Sequence, residues 1–174
     1  MVKNEEGFTL VELLIAVSIF ALLSVIISGI YLAFSKSQAR TKVSQSLLND
    51  AQYILETVAK EIKNNEIVGI GTSGDTDIYT LKKENGDLVY FEYHWLTSLR
   101  YGLDDDDEGW WIDLNDDDDF KITYFNIYLN PDNLDENEQP RVTISLRVDK
   151  TSTVAYEKVF YNLQTTVSSR IYKR

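Results

Sequence analysis

An apolar run extends from Phe8 to Phe34 near the N-terminus of this chain. The run is 27 residues long, contains no proline and carries a single charged residue, Glu12. As an α-helix it would extend about 40 Å, which is more than the ~30 Å hydrocarbon core of a bilayer. A carboxylate near the start of a membrane-length helix is costly in lipid, so its presence indicates a function.

A cleaved secretory signal is the alternative interpretation of this run. It fits poorly because the run exceeds the roughly 7–15 apolar residues of such signals, and no small-residue cleavage site follows it. The basic residues do not decide the orientation of the helix. Lys3 precedes the run, whereas Lys36, Arg40 and Lys42 follow it.

Length and composition limit the rest of the chain. The 174 residues fit one membrane segment and one domain of modest size. Cysteine is absent and His94 is the one histidine, which excludes thiolate or histidine metal clusters and a cysteine nucleophile. The sequence contains no G-x-S-x-G, H-E-x-x-H or P-loop motif, so we expect a protein that is not an enzyme.

The negative charge is concentrated in one region, between Leu103 and Glu138. This region holds fourteen acidic residues and one base, Lys121, so its charge is -13 and the rest of the chain sums to +2. Nucleic-acid binding requires a cationic surface, and we therefore expect no nucleic-acid partner.

The segment around Gly7 supplies the most specific motif. The stretch K-N-E-E-G-F-T-L-V-E-L-L-I-A-V resembles the N-terminus of type IV prepilins and type II secretion pseudopilins. The resemblance implies that a prepilin peptidase removes a leader of residues 1–7 by cutting after Gly7, and that Phe8 becomes the N-methylated N-terminus. It also implies that Glu12 is the fifth mature residue and that the leader lies in the cytoplasm. Leaders of this family are usually basic, whereas residues 2–6 hold one base and two acids.

Glu12 has a physical role in this interpretation. Cleavage exposes an ammonium group on Phe8, one helical turn from Glu12. A carboxylate in an apolar medium is far less costly when paired, so we expect Glu12 of one subunit to pair with the Phe8 amine of a neighbour. This assembly contact would set the axial register between subunits. The alternative is a carboxylate that only reaches the membrane surface from the helix end.

The helix is predicted to continue beyond the membrane segment 8–34 to about Asn64. Apolar residues recur at spacings of three and four along 35–64, which predicts an amphipathic helix. An alternative is two helices with a hinge at 35–37. The stripe consists of Ala39, Val43, Leu47, Leu48, Ala51, Ile54, Leu55, Val58 and Ile62.

Alternating patterns predict a β-rich domain over 65–174. Asn85-Gly86 between two such runs is a strong hairpin signal. A long helix followed by strands predicts an α+β fold, in which an antiparallel β-sheet packs on the amphipathic half of the helix in a pilin-like arrangement. Trp110 and Trp111 are adjacent, so they should face opposite sides of a strand. The predicted strands are 78–81, 88–94, 110–114, 120–129, 141–148 and 154–167.

The acidic loops suggest a second hypothesis. Asp113, Asn115, Asp117 and Asp119 alternate along the chain, and calcium prefers several oxygen ligands. The stretch lacks the glycine and glutamate of an EF-hand loop, so no metal ligands are assigned and calcium remains a hypothesis. The other interpretation is a solvated loop of mutually repelling charges.

Together these observations predict a structural minor pilin or pseudopilin subunit. We expect a single-pass membrane protein whose distal domain lies outside the cytoplasm before assembly into a type IV pilus-like or type II secretion filament. Its expected partners are prepilin peptidase, other pilin or pseudopilin subunits and the membrane. The alternative function is a membrane-anchored, calcium-dependent binding module that uses the acidic loops 104–119.

Overall fold

A computed structural model of the chain describes residues 7–95, 97–103, 110–115, 118–130, 141–152, 154 and 158–168. These residues form one long helix followed by eight strands, which confirms the predicted α+β fold. The elements are α1 (Leu10–Asn64), β1 (Glu66–Ser73), β2 (Thr76–Lys82), β3 (Leu88–His94), β4 (Ser98–Leu103), β5 (Trp110–Asp113), β6 (Phe120–Asn130), β7 (Arg141–Lys150) and β8 (Phe160–Ser168).

The helix has two halves of different character, as the apolar pattern predicted. Its first half is exposed on all sides. Residues 35–37, where the alternative interpretation places a hinge between two helices, lie within the single helix α1. The chain divides into two compact units after Thr41, so the second half of the helix belongs to the same unit as the strands. This half buries one stripe, made of Leu47, Ala51, Ile54, Leu55, Val58 and Ile62.

The strands form two antiparallel sheets. The first sheet has the order β1-β2-β3-β4-β5, and the second has the order β6-β7-β8. The predicted Asn-Gly hairpin connects β2 and β3, where Gly86 has a φ of 97° and glycine is favoured. The strand predicted from Val154 begins instead at Phe160.

One hydrophobic core joins both sheets to the second half of α1. The Phe125 ring of β6 packs against Tyr79 at 5.5 Å and against Tyr93 at 5.9 Å between ring centroids, which connects the two sheets. Burial raises the pKa of the Tyr79 hydroxyl, and the Asp77 carboxylate raises it further. Tyr79 therefore stays protonated and donates a hydrogen bond to Asn126 Oδ1 at 3.4 Å.

The ring of Trp111 lies over Gly102, the residue paired with it on the neighbouring strand. Gly102 of β4 is paired with Trp111 of β5, and a Cβ on Gly102 would lie 2.8 Å from the Trp111 ring. The side chain of Trp111 remains 41% exposed. The contact shows why glycine is needed at 102. The side chain of Trp110 lies outside the described part of the structure, so the opposite orientation of the two tryptophans stays a prediction.

Asn115 is a buried polar residue at the junction of the two sheets. Its Oδ1 accepts a hydrogen bond from Leu99 N at 2.9 Å. Its Nδ2 donates to Thr97 O at 3.1 Å and to Phe120 O at 3.3 Å. The side chain thus holds the start of β6 against the start of β4.

We expect Asn115→Ala to lower the free energy of unfolding by about 2–4 kcal/mol, because it leaves several buried backbone groups without partners. Denaturant unfolding of the full chain in detergent measures this change. Asn162→Ala on the exposed face of β8 is the matched control, and it should change stability by less than about 0.5 kcal/mol. Equal effects of the two substitutions would show that Asn115 does not stabilise the junction.

Candidate functional site

The helix α1 begins with a reciprocal pair of side chains, Thr9 and Glu12. Thr9 N donates to Glu12 Oε2 at 2.9 Å, and Thr9 Oγ1 donates to the same oxygen at 3.0 Å. In return, Thr9 Oγ1 accepts a hydrogen bond from Glu12 N at 3.3 Å. This is a capping box, in which a Thr and a Glu three residues later satisfy backbone groups at a helix start.

The capping box orients the Glu12 carboxylate. Both of its described hydrogen bonds go to Oε2, and Oε1 accepts none from the described residues. The carboxylate also lies in the first turn of α1, where the helix dipole favours a negative charge. The arrangement leaves one carboxylate oxygen available to a cation from outside the chain.

Gly7 and Phe8 precede the helix and are exposed. Phe8 is 88% exposed, and nothing lies within 4 Å of a Cβ placed on Gly7. Neither residue is helical. The structure thus brings the three predicted site residues, Gly7, Phe8 and Glu12, together in six consecutive residues at the start of α1.

The first half of α1 is suited to an apolar environment. Its best 18-residue window has a mean hydropathy of 2.8, and none of that window is buried within the described structure. The hydroxyls of Ser18, Ser24 and Ser28 each donate to a carbonyl one turn earlier at 2.8 Å. These polar groups are satisfied inside the helix, which therefore meets the hydrogen-bonding demands of a membrane.

The acidic region is only partly described, since residues 104–109 and 116–117 lie outside the described structure. Asp113 forms an ion pair with Arg100 at 2.8 Å, and Asp119 forms one with Lys150. Asn115 holds backbone groups, as shown above. Within the described ranges, no cluster of three or more His, Cys, Asp or Glu residues could hold a metal ion. The calcium hypothesis therefore stays a prediction.

Thr9 is the residue of this site that the sequence interpretation missed. Its signal was present, because T-x-x-E before an apolar run is the pattern of a capping box. The pattern lies within the stretch that the resemblance assigns to processing and assembly, where only Gly7, Phe8 and Glu12 have implied roles.

Residues 2–28 match the model of the prokaryotic N-terminal methylation motif. The match covers 27 of the 174 residues, including Gly7, Phe8, Thr9 and Glu12. It confirms the resemblance of this segment to the N-termini of type IV prepilins and pseudopilins. No curated protein and no solved structure matches the chain significantly.

Proposed function

We propose that this chain is a structural subunit, a minor pilin or pseudopilin, which is processed after Gly7 and assembled into a type IV pilus-like or type II secretion filament. The observation that carries the proposal is the methylation motif at the start of an unburied apolar helix with one charged residue. The long helix followed by an antiparallel meander supports the assignment to a minor subunit.

In this proposal the leader of residues 1–7 lies in the cytoplasm and is removed by prepilin peptidase. Phe8 then carries the new amino group and is methylated on its nitrogen. The α1 helix spans the membrane once, and the β-rich domain lies outside. This domain must stay folded without disulfides because the chain has no cysteine, and the hydrophobic core that joins two sheets and a helix in its described part fits that requirement.

Assembly places apolar helices side by side, where the charges at their ends must be neutralised. The Phe8 ammonium of one subunit supplies a cation for the Glu12 carboxylate of another. Glu12 Oε1 is the oxygen available for this pair, since Oε2 holds the capping box of its own chain. A subunit shifted along the filament would separate these charges in an apolar medium, so the pair selects one axial register.

The proposal predicts where the chain is found in cells with a prepilin peptidase and a pilus or secretion system. Filaments are sheared or released from the cells, and the chain is detected by antibody in the filament and membrane fractions. We expect the processed chain in the filament fraction of wild-type cells and only the unprocessed chain in membranes of cells without the peptidase. Absence from the filament fraction of wild-type cells would contradict the assembly role.

A further inference from the structure

The sheet β6-β7-β8 has one face against the hydrophobic core and one face turned away from it. On the outward face, Tyr124 of β6, Arg147 of β7 and Asn162 of β8 are paired side by side across the strands, and we call them the central row. Tyr124 is 42% exposed, and the outward residues of β8 are exposed along the whole strand. The solvated face of an antiparallel sheet is usually polar, whereas this face also presents exposed aromatic rings.

Two open hollows adjoin on this face and share the central row. The larger has a volume of about 610 Å³ and extends to Thr123 and Asp149. The smaller has a volume of about 310 Å³ and extends to Ser145 and Gln164. Ligand sites in proteins commonly have volumes of about 300–1,000 Å³. Because the two hollows adjoin, they suit a ligand that is built from linked units.

The charged groups of the larger hollow neutralise each other. Arg147 Nε donates to Asp149 Oδ2 at 3.1 Å, and Arg147 Nη2 donates to Asp149 Oδ1 at 3.3 Å. This two-point contact fixes the plane of the guanidinium group. Thr123 Oγ1 donates to the same carboxylate from β6. Since the ion pair carries no net charge, it favours a neutral ligand over a charged one.

Aromatic rings border the central row on both sides of the sheet. Arg147 Cζ lies 4.7 Å from the centroid of the Phe160 ring on β8, which is a cation–π contact. On β6, the hydroxyls of Tyr124 and Tyr128 are hydrogen-bonded to each other, which links two exposed rings. The backbones of β6 and β8 are about 10 Å apart because one strand lies between them. Two linked pyranose rings span such a distance.

The polar side chains between these rings retain hydrogen-bonding capacity. The side chains of Ser145, Asn162 and Gln164 form no hydrogen bond with other residues in the described ranges. Arg147 uses two of its five N–H donors on Asp149. A side-chain amide presents a donor and an acceptor side by side, which matches two neighbouring hydroxyl groups of a ligand.

We propose that this face of β6-β7-β8 binds a neutral oligosaccharide of glucose-configured pyranose rings. Such rings have C–H bonds on both faces, which stack on aromatic rings, and equatorial hydroxyls at their edges, which pair with amides and guanidinium groups. Phe160 and Tyr124 supply the stacking surfaces, and the central row with Gln164 supplies the hydrogen bonds. A peptide that binds by strand addition needs unpaired backbone groups, which lie at a sheet edge and not on its face. The site lies in the distal domain and does not depend on cleavage after Gly7.

Titration calorimetry of the full chain, in a detergent without a sugar headgroup, tests the proposal. The probes are cellohexaose, maltohexaose and chitohexaose, which are neutral and glucose-configured but differ in linkage or substituents. We expect at least one probe to bind with a Kd of about 1 mM or tighter. Because the ligand is uncharged, raising the salt concentration from about 50 mM to about 500 mM should change this Kd less than about twofold.

Substitutions of the aromatic rings locate the site. Phe160→Ala and Tyr124→Ala should each weaken binding at least about tenfold, since each removes a stacking surface. Phe160→Tyr keeps the ring and should retain the Kd within about threefold. Tyr53→Ala is the matched control because it removes an exposed aromatic ring from α1, and it should leave the Kd unchanged. Circular dichroism of each variant verifies that the domain is folded.

The outcomes separate this proposal from its alternatives. Failure of all three probes to bind would overturn it, as would equal weakening by Phe160→Ala and Tyr53→Ala. Tighter binding of hexagalacturonate, an anionic probe, would overturn the neutral class of ligand. If no probe binds and Phe160→Ala is lost from the filament fraction, the face is a contact with another protein and not a sugar site. The proposal expects Phe160→Ala to assemble normally, so failure of the sugar site leaves the assembly role intact.

Discussion

Glu12→Gln is expected to leave membrane insertion intact and to remove the chain from filaments. The substitution takes away the charge that pairs with the Phe8 ammonium of a neighbouring subunit. Breaking a buried ion pair by removing one partner costs about 3–5 kcal/mol, which corresponds to a roughly 140- to 4,000-fold loss of subunit affinity. The measurement is the amount of chain in the filament fraction relative to the membrane fraction.

The capping box makes this substitution more informative than a change to leucine. Glutamine can replace glutamate in a capping box, so Glu12→Gln retains the helix start seen in the structure. Thr9→Val is the matched control, since it removes the Thr9 side-chain hydrogen bonds and keeps the Glu12 charge. Loss of a cap costs about 1 kcal/mol, and this variant should still assemble.

The two variants together separate a structural role of Glu12 from an assembly role. If Glu12→Gln assembles as the wild type does, the ion pair is not the contact that holds the register. If Thr9→Val is lost from filaments as completely as Glu12→Gln, the carboxylate acts mainly through its own helix start. The proposed function requires loss in the first variant and retention in the second.

Gly7→Val is expected to block processing almost completely. Gly7 is exposed, and a Cβ at this position meets nothing within 4 Å, so the substitution does not disturb the chain's own fold. Any effect must therefore arise where the peptidase binds the residue before the bond that it cuts. The variant should accumulate in membranes with its leader attached, as shown by the mass of the intact protein.

Gly29→Val is the matched control for this substitution. Gly29 also has nothing within 4 Å of an added Cβ, and it lies well inside the apolar helix. Chains with this substitution should be cut as efficiently as the wild type. Normal processing of Gly7→Val, or equal loss in both variants, would contradict a cleavage site after Gly7.

The sequence predicted the helix and the order of elements well, because both depend on strong periodic patterns. The helix was expected at 8–64 and is observed at Leu10–Asn64. The strands β1 and β4 were missed, because local composition conceals them. Gly69 and Gly71 interrupt β1, and Gly102 interrupts β4. These strands exist because neighbouring strands pair with them, which is a tertiary effect that propensity does not include.

The division into two sheets also could not be predicted from periodicity. Alternation tells which residues face a core but not which strands are hydrogen-bonded. The separation depends on contacts between distant residues, such as the hydrogen bonds of Asn115 to Thr97 and Phe120. The sequence pattern indicates Asn115 only as a possible oxygen ligand. An asparagine can serve either as a metal ligand or as a buried hydrogen-bonding group, and the sequence does not distinguish the two roles.

The candidate site was predictable because its residues are adjacent in the chain. Gly7, Phe8 and Glu12 lie in six consecutive positions, so no knowledge of the fold was needed to group them. The position of β8 in the fold, by contrast, could not be predicted from the sequence. Its sequence gives a strand, but its place at the end of a sheet and beside Leu55 and Ala59 is known only from the structure.

The N-terminus of the mature chain shows whether the leader is removed after Gly7. The natural protein is isolated from membranes of cells that carry a prepilin peptidase, and its N-terminal peptide is identified by mass spectrometry. The proposed function predicts a peptide that begins at Phe8 and carries a methyl group on its α-nitrogen. A chain that still begins at Met1 in these cells would contradict it.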